Sequence, residues 1–152
     1  MFVETGTYLG QMVNAQLSNF VKIYSIELGQ DLYQKAKEKF RNSKQVEIFH
    51  GDSGKVLPQI IKDLDVPAIF WLDGHFSDGI TAKGDLICPI YEELGAIFKR
   101  KINHVLVIDD ERLFVGKDDY PQKADLFKFI RETVPQTKIR SRYDMIFVYL
   151  NW

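Results

Sequence analysis

The chain has 152 residues, of which 45% are hydrophobic and 27% charged. That is the length of one domain and the composition of a folded one, so a wholly disordered chain is excluded. Lys and Arg total 20 against 21 for Asp and Glu, a balance that argues against a broad electrostatic grip on nucleic acid or on an acidic membrane surface.

Short apolar runs alternate with amphipathic segments along the chain. Strands are predicted at residues 2–4, 22–27 (KIYSIE), 46–50 (VEIFH), 68–73 (AIFWLD) and 105–109 (VLVID). All are rich in β-branched and aromatic residues, as strands covered on both faces should be. Helices are predicted between them, near residues 9–20, 30–42, 54–64, 89–101 and 121–133. In the second, Leu32, Tyr33, Ala36 and Phe40 fall on one stripe with lysines opposite. The alternation implies parallel strands, right-handed crossovers and helices on both sheet faces. Residues 137–143 and 145–150 break this rhythm, because the dipeptide Tyr143–Asp144 leaves no room for a helix and the two runs must pair antiparallel or bend between sheets. The expected fold is a single domain over residues 1–152: a doubly wound α/β sheet ending in an antiparallel hairpin. Nothing precedes the first strand to cover the ligand edge of the sheet, so the usual N-terminal cap of such a fold is expected to be missing here.

Chemistry is expected beyond the carboxyl ends of the strands, where ligands of open α/β sheets sit. Those ends read Glu4-Thr5-Gly6-Thr7-Tyr8-Leu9-Gly10, Glu27, Gly51-Asp52-Ser53, Asp73-Gly74-His75 and Asp109-Asp110. Carboxylates gathered on one rim repel one another unless a cation or hydroxyl stands among them. Gly6 permits a tight turn and close ligand approach, and Gly10 lets the next helix pack near the strands. The spacing E-x-G-x-x-x-G lacks the middle glycine of a dinucleotide fingerprint, which excludes the usual nicotinamide or flavin reading. Glu27 suits a ribose diol, since its two oxygens can accept from both hydroxyls.

Together FVETGTYLG, the Glu27 end of KIYSIE, the HGDS turn, FWLDGH and the terminal hairpin resemble the class I S-adenosylmethionine-dependent methyltransferases. The resemblance implies a mostly parallel, seven-stranded, Rossmann-like sheet. It also implies that Glu4, Thr5, Gly6, Thr7 and Tyr8 wrap the methionine moiety and that Glu27 holds the ribose, with Leu28 on the adenine. Asp52 would accept from the adenine amine with Ser53 beside it, and Asp73 would stand near the transferring methyl. The acids at the fourth and fifth strand ends further resemble the metal-dependent macrocin and catechol O-methyltransferases, which implies Mg2+ held by Asp73, Asp109 and Asp110 and methyl transfer to oxygen. His75 departs from that pattern, where a second acid is usual, and is the candidate general base, with a metal ligand or a surface residue as the alternatives.

The expected activity is methylation of a small-molecule acceptor, with no nucleic acid or membrane partner. The alternatives are a catalytically idle cofactor-binding or assembly domain, and a metal enzyme of other chemistry. The connection from residue 74 to 89, with Gly79, Gly84 and Lys83, is expected to be a lid. Lys83 and Arg112 are the basic groups nearest the pocket. His50 and His104 are read as structural, and Trp71 as core. A lone Cys88, the absence of a signal-like N-terminus and of any long apolar run point to the cytoplasm. Homodimer pairing through residues 137–143 is conceivable, against the charges on that strand.

Overall fold

Four consecutive buried residues, Phe2 to Thr5, open the chain, and only a strand covered on both faces satisfies such a run. The structure is a computed structural model that describes residues 1–74 and 86–152. Five parallel strands, β1 (Phe2–Thr5), β2 (Ile23–Glu27), β3 (Val46–His50), β4 (Ile69–Leu72) and β5 (Val105–Ile108), alternate with helices α1 (Gln11–Gln16), α2 (Gln30–Phe40), α3 (Ser53–Ile60), α4 (Ile90–Phe98) and α5 (Lys123–Thr133). Then follow β6 (Lys138–Arg142) and β7 (Met145–Tyr149), with β7 inserted between β5 and β6 and antiparallel to both. The order β3-β2-β1-β4-β5-β7-β6 reverses between β1 and β4, so the cleft expected for ligands lies over these two strands.

Period-two alternation divides the sheet into two faces. Val3, Ile26, Phe70, Leu72, Leu106, Ile108, Ile146 and Val148 look toward Leu57, Leu94, Ile97, Leu126 and Ile130 of α3, α4 and α5, and form the main core. Phe2 and Ile23 look the other way, onto Val13 of α1 and Phe40 of α2. Trp71 is half-buried at the margin of this smaller cluster rather than enclosed in the core.

All five helices are shorter than their sequence pattern predicts, and for two of them the cause is visible. In α1, the Asn19 side chain turns back onto the Ala15 carbonyl and the Gln16 amide, offering local bonds that compete with a further turn. α3 ends at Ile60, two residues past Pro58, which has no N–H to give to the helix. The hairpin turn is made by Tyr143 and Asp144, both left-handed (φ 56° and 60°). That is the two-residue geometry whose twist matches the flanking strands. No helix among the described residues is long and apolar enough to cross a membrane.

Candidate functional site at the carboxyl ends of the strands

Strand register sets the site. Ile26, Thr5, Leu72 and Ile108 are level across β2, β1, β4 and β5. One residue further, Glu27, Gly6, Asp73 and Asp109 therefore stand in a row along the rim. The Gly6 N–H donates to the Ile26 carbonyl (2.9 Å), that of Asp73 to the Thr5 carbonyl (3.1 Å) and that of Asp109 to the Leu72 carbonyl (3.1 Å). These bonds carry the ladder one step past the strands.

Gly6 is required twice over. Its φ is +85°, and a Cβ there would lie 2.2 Å from the Asp73 carbonyl oxygen. The turn after β1 is thus drawn tightly against the end of β4. Glu27 holds the far side of the same turn. One of its oxygens accepts from the Tyr8 N–H and the other from the Gly29 N–H, both at 2.8 Å. Tyr8 is left-handed (φ 48°), an uncommon conformation for an aromatic residue, and the charged acceptor helps to hold it there. Each carboxylate oxygen retains a further acceptor site.

Glu4 behaves differently from the rim acids. It is 2% exposed and sits beneath the turn, accepting from the Ser25 hydroxyl, which in turn lies 2.6 Å from the Thr7 hydroxyl. Burial pushes Glu4 up to about 8 against the pull of Ser25, with Asp73 and Glu27 adding to the rise. It braces the turn as a neutral acid at neutral pH. Thr5 also braces, since its hydroxyl accepts from the Asp73 N–H at 3.2 Å.

Asp52 caps α3, its Oδ1 accepting from the Gly54 N–H (2.9 Å). Ser53 is buried, and Leu28 is half-buried with its carbonyl accepting from the His50 ring (3.1 Å). His50 thus secures the turn after β2. His104 is 1% exposed, accepts the Ala68 N–H at Nδ1 and is pushed down to about 4 by burial and by Arg100. Both histidines are structural, as their positions in the sequence suggest.

At β4 and β5 the acids crowd. Burial raises Asp73 to about 7, the carboxylates of Asp109 and Asp110 push further, and the Trp71 indole N–H opposes them. The expected metal trio nonetheless finds no support in the side-chain geometry. Among the described residues no group of three or more His, Cys, Asp or Glu side chains is disposed to hold a metal ion. The physical reason lies in the other bonds of these acids. Asp110 takes a left-handed turn (φ 55°) and accepts from the Arg112 guanidinium at 2.5 Å, while Asp109 Oδ1 accepts from the Asp110 N–H at 2.9 Å. Arg112 also binds Asp144, so this guanidinium is committed to two carboxylates rather than waiting for an anionic acceptor. His75, Gly79, Lys83 and Gly84 lie outside the described residues.

One acid went unread in the sequence. Glu93 of α4 is 2% exposed, approached by the hydroxyls of Ser53 and Thr5, and its Oε1 has no hydrogen-bond partner. Burial raises it to about 7. A legible signal existed, because Glu93 is three residues after Ile90 and one before Leu94, on the stripe of α4 that faces the core. Beside it lies a small cleft, partly open to solvent and with room for about one water, lined by Glu93, Gly74, Cys88, Phe114 and Asp109 over the floor of Leu72 and Ile108.

In sequence, the chain matches no protein-family model and no curated protein. In fold it is similar to solved structures. The SAH-bound methyltransferase PaMTH1 of Podospora anserina aligns with 99% of this chain and 71% of its own, at 15% identity and a TM-score of 0.68. SMU.1697c of Streptococcus mutans, in complex with SAH, aligns with 99% of this chain and 88% of its own, at 15% identity and a TM-score of 0.62. An rRNA methylase of Streptococcus thermophilus aligns with 99% and 86%, at 10% identity and a TM-score of 0.57. The chain therefore has the Rossmann-like fold of these methyltransferases, including the antiparallel seventh strand.

Proposed function

We propose that this chain is a methyltransferase that uses S-adenosylmethionine and acts on a small-molecule acceptor. The observation that carries the reading is the row Glu27, Gly6, Asp73 at the point where strand order reverses. There a close backbone turn stands between two acids, and the neighbouring folds are those of SAH-bound proteins. The residues present fit such a group: a buried, acid-rich rim with a glycine turn suits a cationic nucleoside and disfavours a phosphate-bearing one.

In this reading Glu27 receives the ribose hydroxyls on the lone pairs left by its two backbone bonds, and Leu28 and Asp52 flank the base. Asp52 spends one oxygen as a helix cap, so recognition of the base would fall to the other. Thr5, Gly6, Thr7 and Tyr8 shape the turn that the amino-acid arm would follow, with Glu4 and Ser25 fixing it from below. Asp73, at the end of β4, places negative charge where a cationic sulfur would stand. When bound, S-adenosylmethionine supplies an electrophilic methyl group on a positively charged sulfur. The expectation of oxygen as the methylated atom rests on a metal, for which the described residues offer no ligand cluster.

An rRNA acceptor is a second reading, because some structures of this fold are rRNA methylases. The acidic rim and the committed Arg112 weigh against it, since RNA binding draws its strength from free Lys and Arg at phosphates. Isothermal titration with S-adenosylhomocysteine tests the proposal. A micromolar dissociation constant is expected, and silence with ligand at about 1 mM would remove the reading.

A further inference from the structure

Strands β4, β5 and β7 are sealed on one face and open on the other. Toward α3, α4 and α5, their residues Phe70, Leu72, Leu106, Ile108, Ile146 and Val148 are at most 2% exposed. On the opposite face Ile69, Trp71, Val105 and Phe147 are half-buried and Tyr149 is 40% exposed. Register makes these one patch, since Ile69, Val105 and Tyr149 are level, as are Trp71, Val107 and Phe147. The described helices on this face, α1 and α2, pack on Phe2 and Ile23 and reach no further than Ile69 and Trp71, while Val105 and Phe147 belong to neither core. A helix is about 10 Å across, so α1 and α2 stand as one wall of a trough whose floor is the patch. From β4 to β7 that floor spans two strand spacings, about 10 Å, the width of one further helix. Beyond it runs a basic border. Ile139 turns to the main core, which leaves Lys138, Arg140 and Arg142 on the open face, level with Tyr149, Phe147 and Met145. All three are exposed, Arg142 rests on the Tyr143 ring (4.3 Å to its centroid), and among the described residues the ion pairs go to other cations.

We propose that this trough is a docking face for an amphipathic helix of another protein, with the apolar stripe of that helix on Trp71, Val107 and Phe147 and an acidic flank along Lys138, Arg140 and Arg142. The apolar floor supplies the burial, and the border of like charge selects an acidic partner and fixes its direction across the strands. A flat bilayer is held off the floor by α1 and α2. A second copy of the chain would need exposed acids on the same patch, and below the rim Glu4, the acid of this face among the described residues, is buried.

The test uses two synthetic helical peptides of about 18 residues that share one leucine stripe, the first flanked by Glu and the second by Lys. Binding to the whole chain is followed by isothermal titration. The Glu peptide is expected to bind at least about tenfold more tightly than the Lys peptide, and Lys138→Glu, Arg140→Glu and Arg142→Glu together should reverse that order. Tyr149→Asp should weaken both peptides about tenfold by placing a charge on the apolar floor. These four positions are exposed, so folding should survive, and circular dichroism checks it; Phe147→Ser gives a second reading of the floor. Equal affinity for the two peptides, no binding of the Glu peptide at about 1 mM, or an order that survives the charge reversal would overturn the proposal. Sedimentation that shows the chain alone as a dimer, and Tyr149→Asp as a monomer, would give the face to a second copy and overturn it too. So would tighter binding to a single-stranded RNA or to anionic vesicles, lost on the same charge reversal.

Discussion

Replacing Glu27 with alanine should unfasten the turn after β1. Its two oxygens each accept a backbone N–H at 2.8 Å, one from Tyr8 and one from Gly29. Hydrogen bonds to a charged group contribute about 1.5–3 kcal/mol each, so two set an upper bound of about 3–6 kcal/mol. Tyr8 is 45% exposed, and water can replace part of what its N–H loses. Removing the charge also eases the push of Glu27 on Glu4, the last in order among the causes acting there. A net loss of about 3 kcal/mol follows, which for a chain of this length lowers Tm by about 6–12 °C. Glu27→Gln keeps one carbonyl acceptor and should lose about half as much. Thermal unfolding followed by circular dichroism, with no ligand present, measures both. A fall under about 2 °C for Glu27→Ala would show that these bonds contribute nothing and that the turn is held some other way. If the rim also receives a ribose, affinity for S-adenosylhomocysteine should fall by a further 30- to 150-fold, about 2–3 kcal/mol.

Other consequences can be measured alongside. Glu4, Asp73 and Glu93 are all raised above the ordinary carboxyl range, so between about pH 4.5 and 8 the unfolded chain releases protons that the folded one keeps. Stability of the ligand-free protein should therefore fall as pH rises through that window, by at most about 1.4 kcal/mol per pH unit for each group. Urea unfolding at pH 5, 6.5 and 8 should show the decline, and Glu4→Gln should flatten it. Gly6→Ala should destabilise by about 2–4 kcal/mol, because the methyl meets the Asp73 carbonyl at 2.2 Å in a backbone region hostile to side chains; an unchanged urea midpoint would contradict the close approach. Phe70→Ala, at a fully buried centre of the main core, should lose about 3–5 kcal/mol in the same assay. Arg112→Ala should leave the urea midpoint nearly unchanged despite its two ion pairs, since its side chain is 60% exposed.

The strands were legible in the sequence because each is a short apolar run ending on a polar residue, and period alone places Val3, Ile26 and Phe70 on one face. The hairpin was legible because Tyr143–Asp144 leaves no room for a helix, although a bend between sheets stayed open until the pairing of β6 with β7 was seen. What the pattern left open is which way each acid turns. Glu4 and Glu27 lie on one face of the sheet at different levels, and only the register decides that the lower acid meets Ser25 beneath the turn while the upper one meets the Tyr8 and Gly29 backbone. Asp110 stands next to Asp109 in sequence, but its left-handed backbone delivers it to Arg112, and no spacing rule anticipates that. Glu93 was overlooked because a charged residue in a helix is ordinarily read as solvated, although its register with Ile90 and Leu94 placed it inward.

The insertion of β7 between β5 and β6 governs the sequence of assembly. As the chain emerges from the ribosome, residues 138–142 are synthesised before the strand that will join them to the sheet exists. They bring three basic side chains and one isoleucine, too little apolar surface to collapse alone. Until residues 145–149 arrive, β5 presents a bare edge with Leu106 and Ile108 unshielded on that flank. Closure of the sheet on this side thus requires its seventh strand, which pairs with both neighbours.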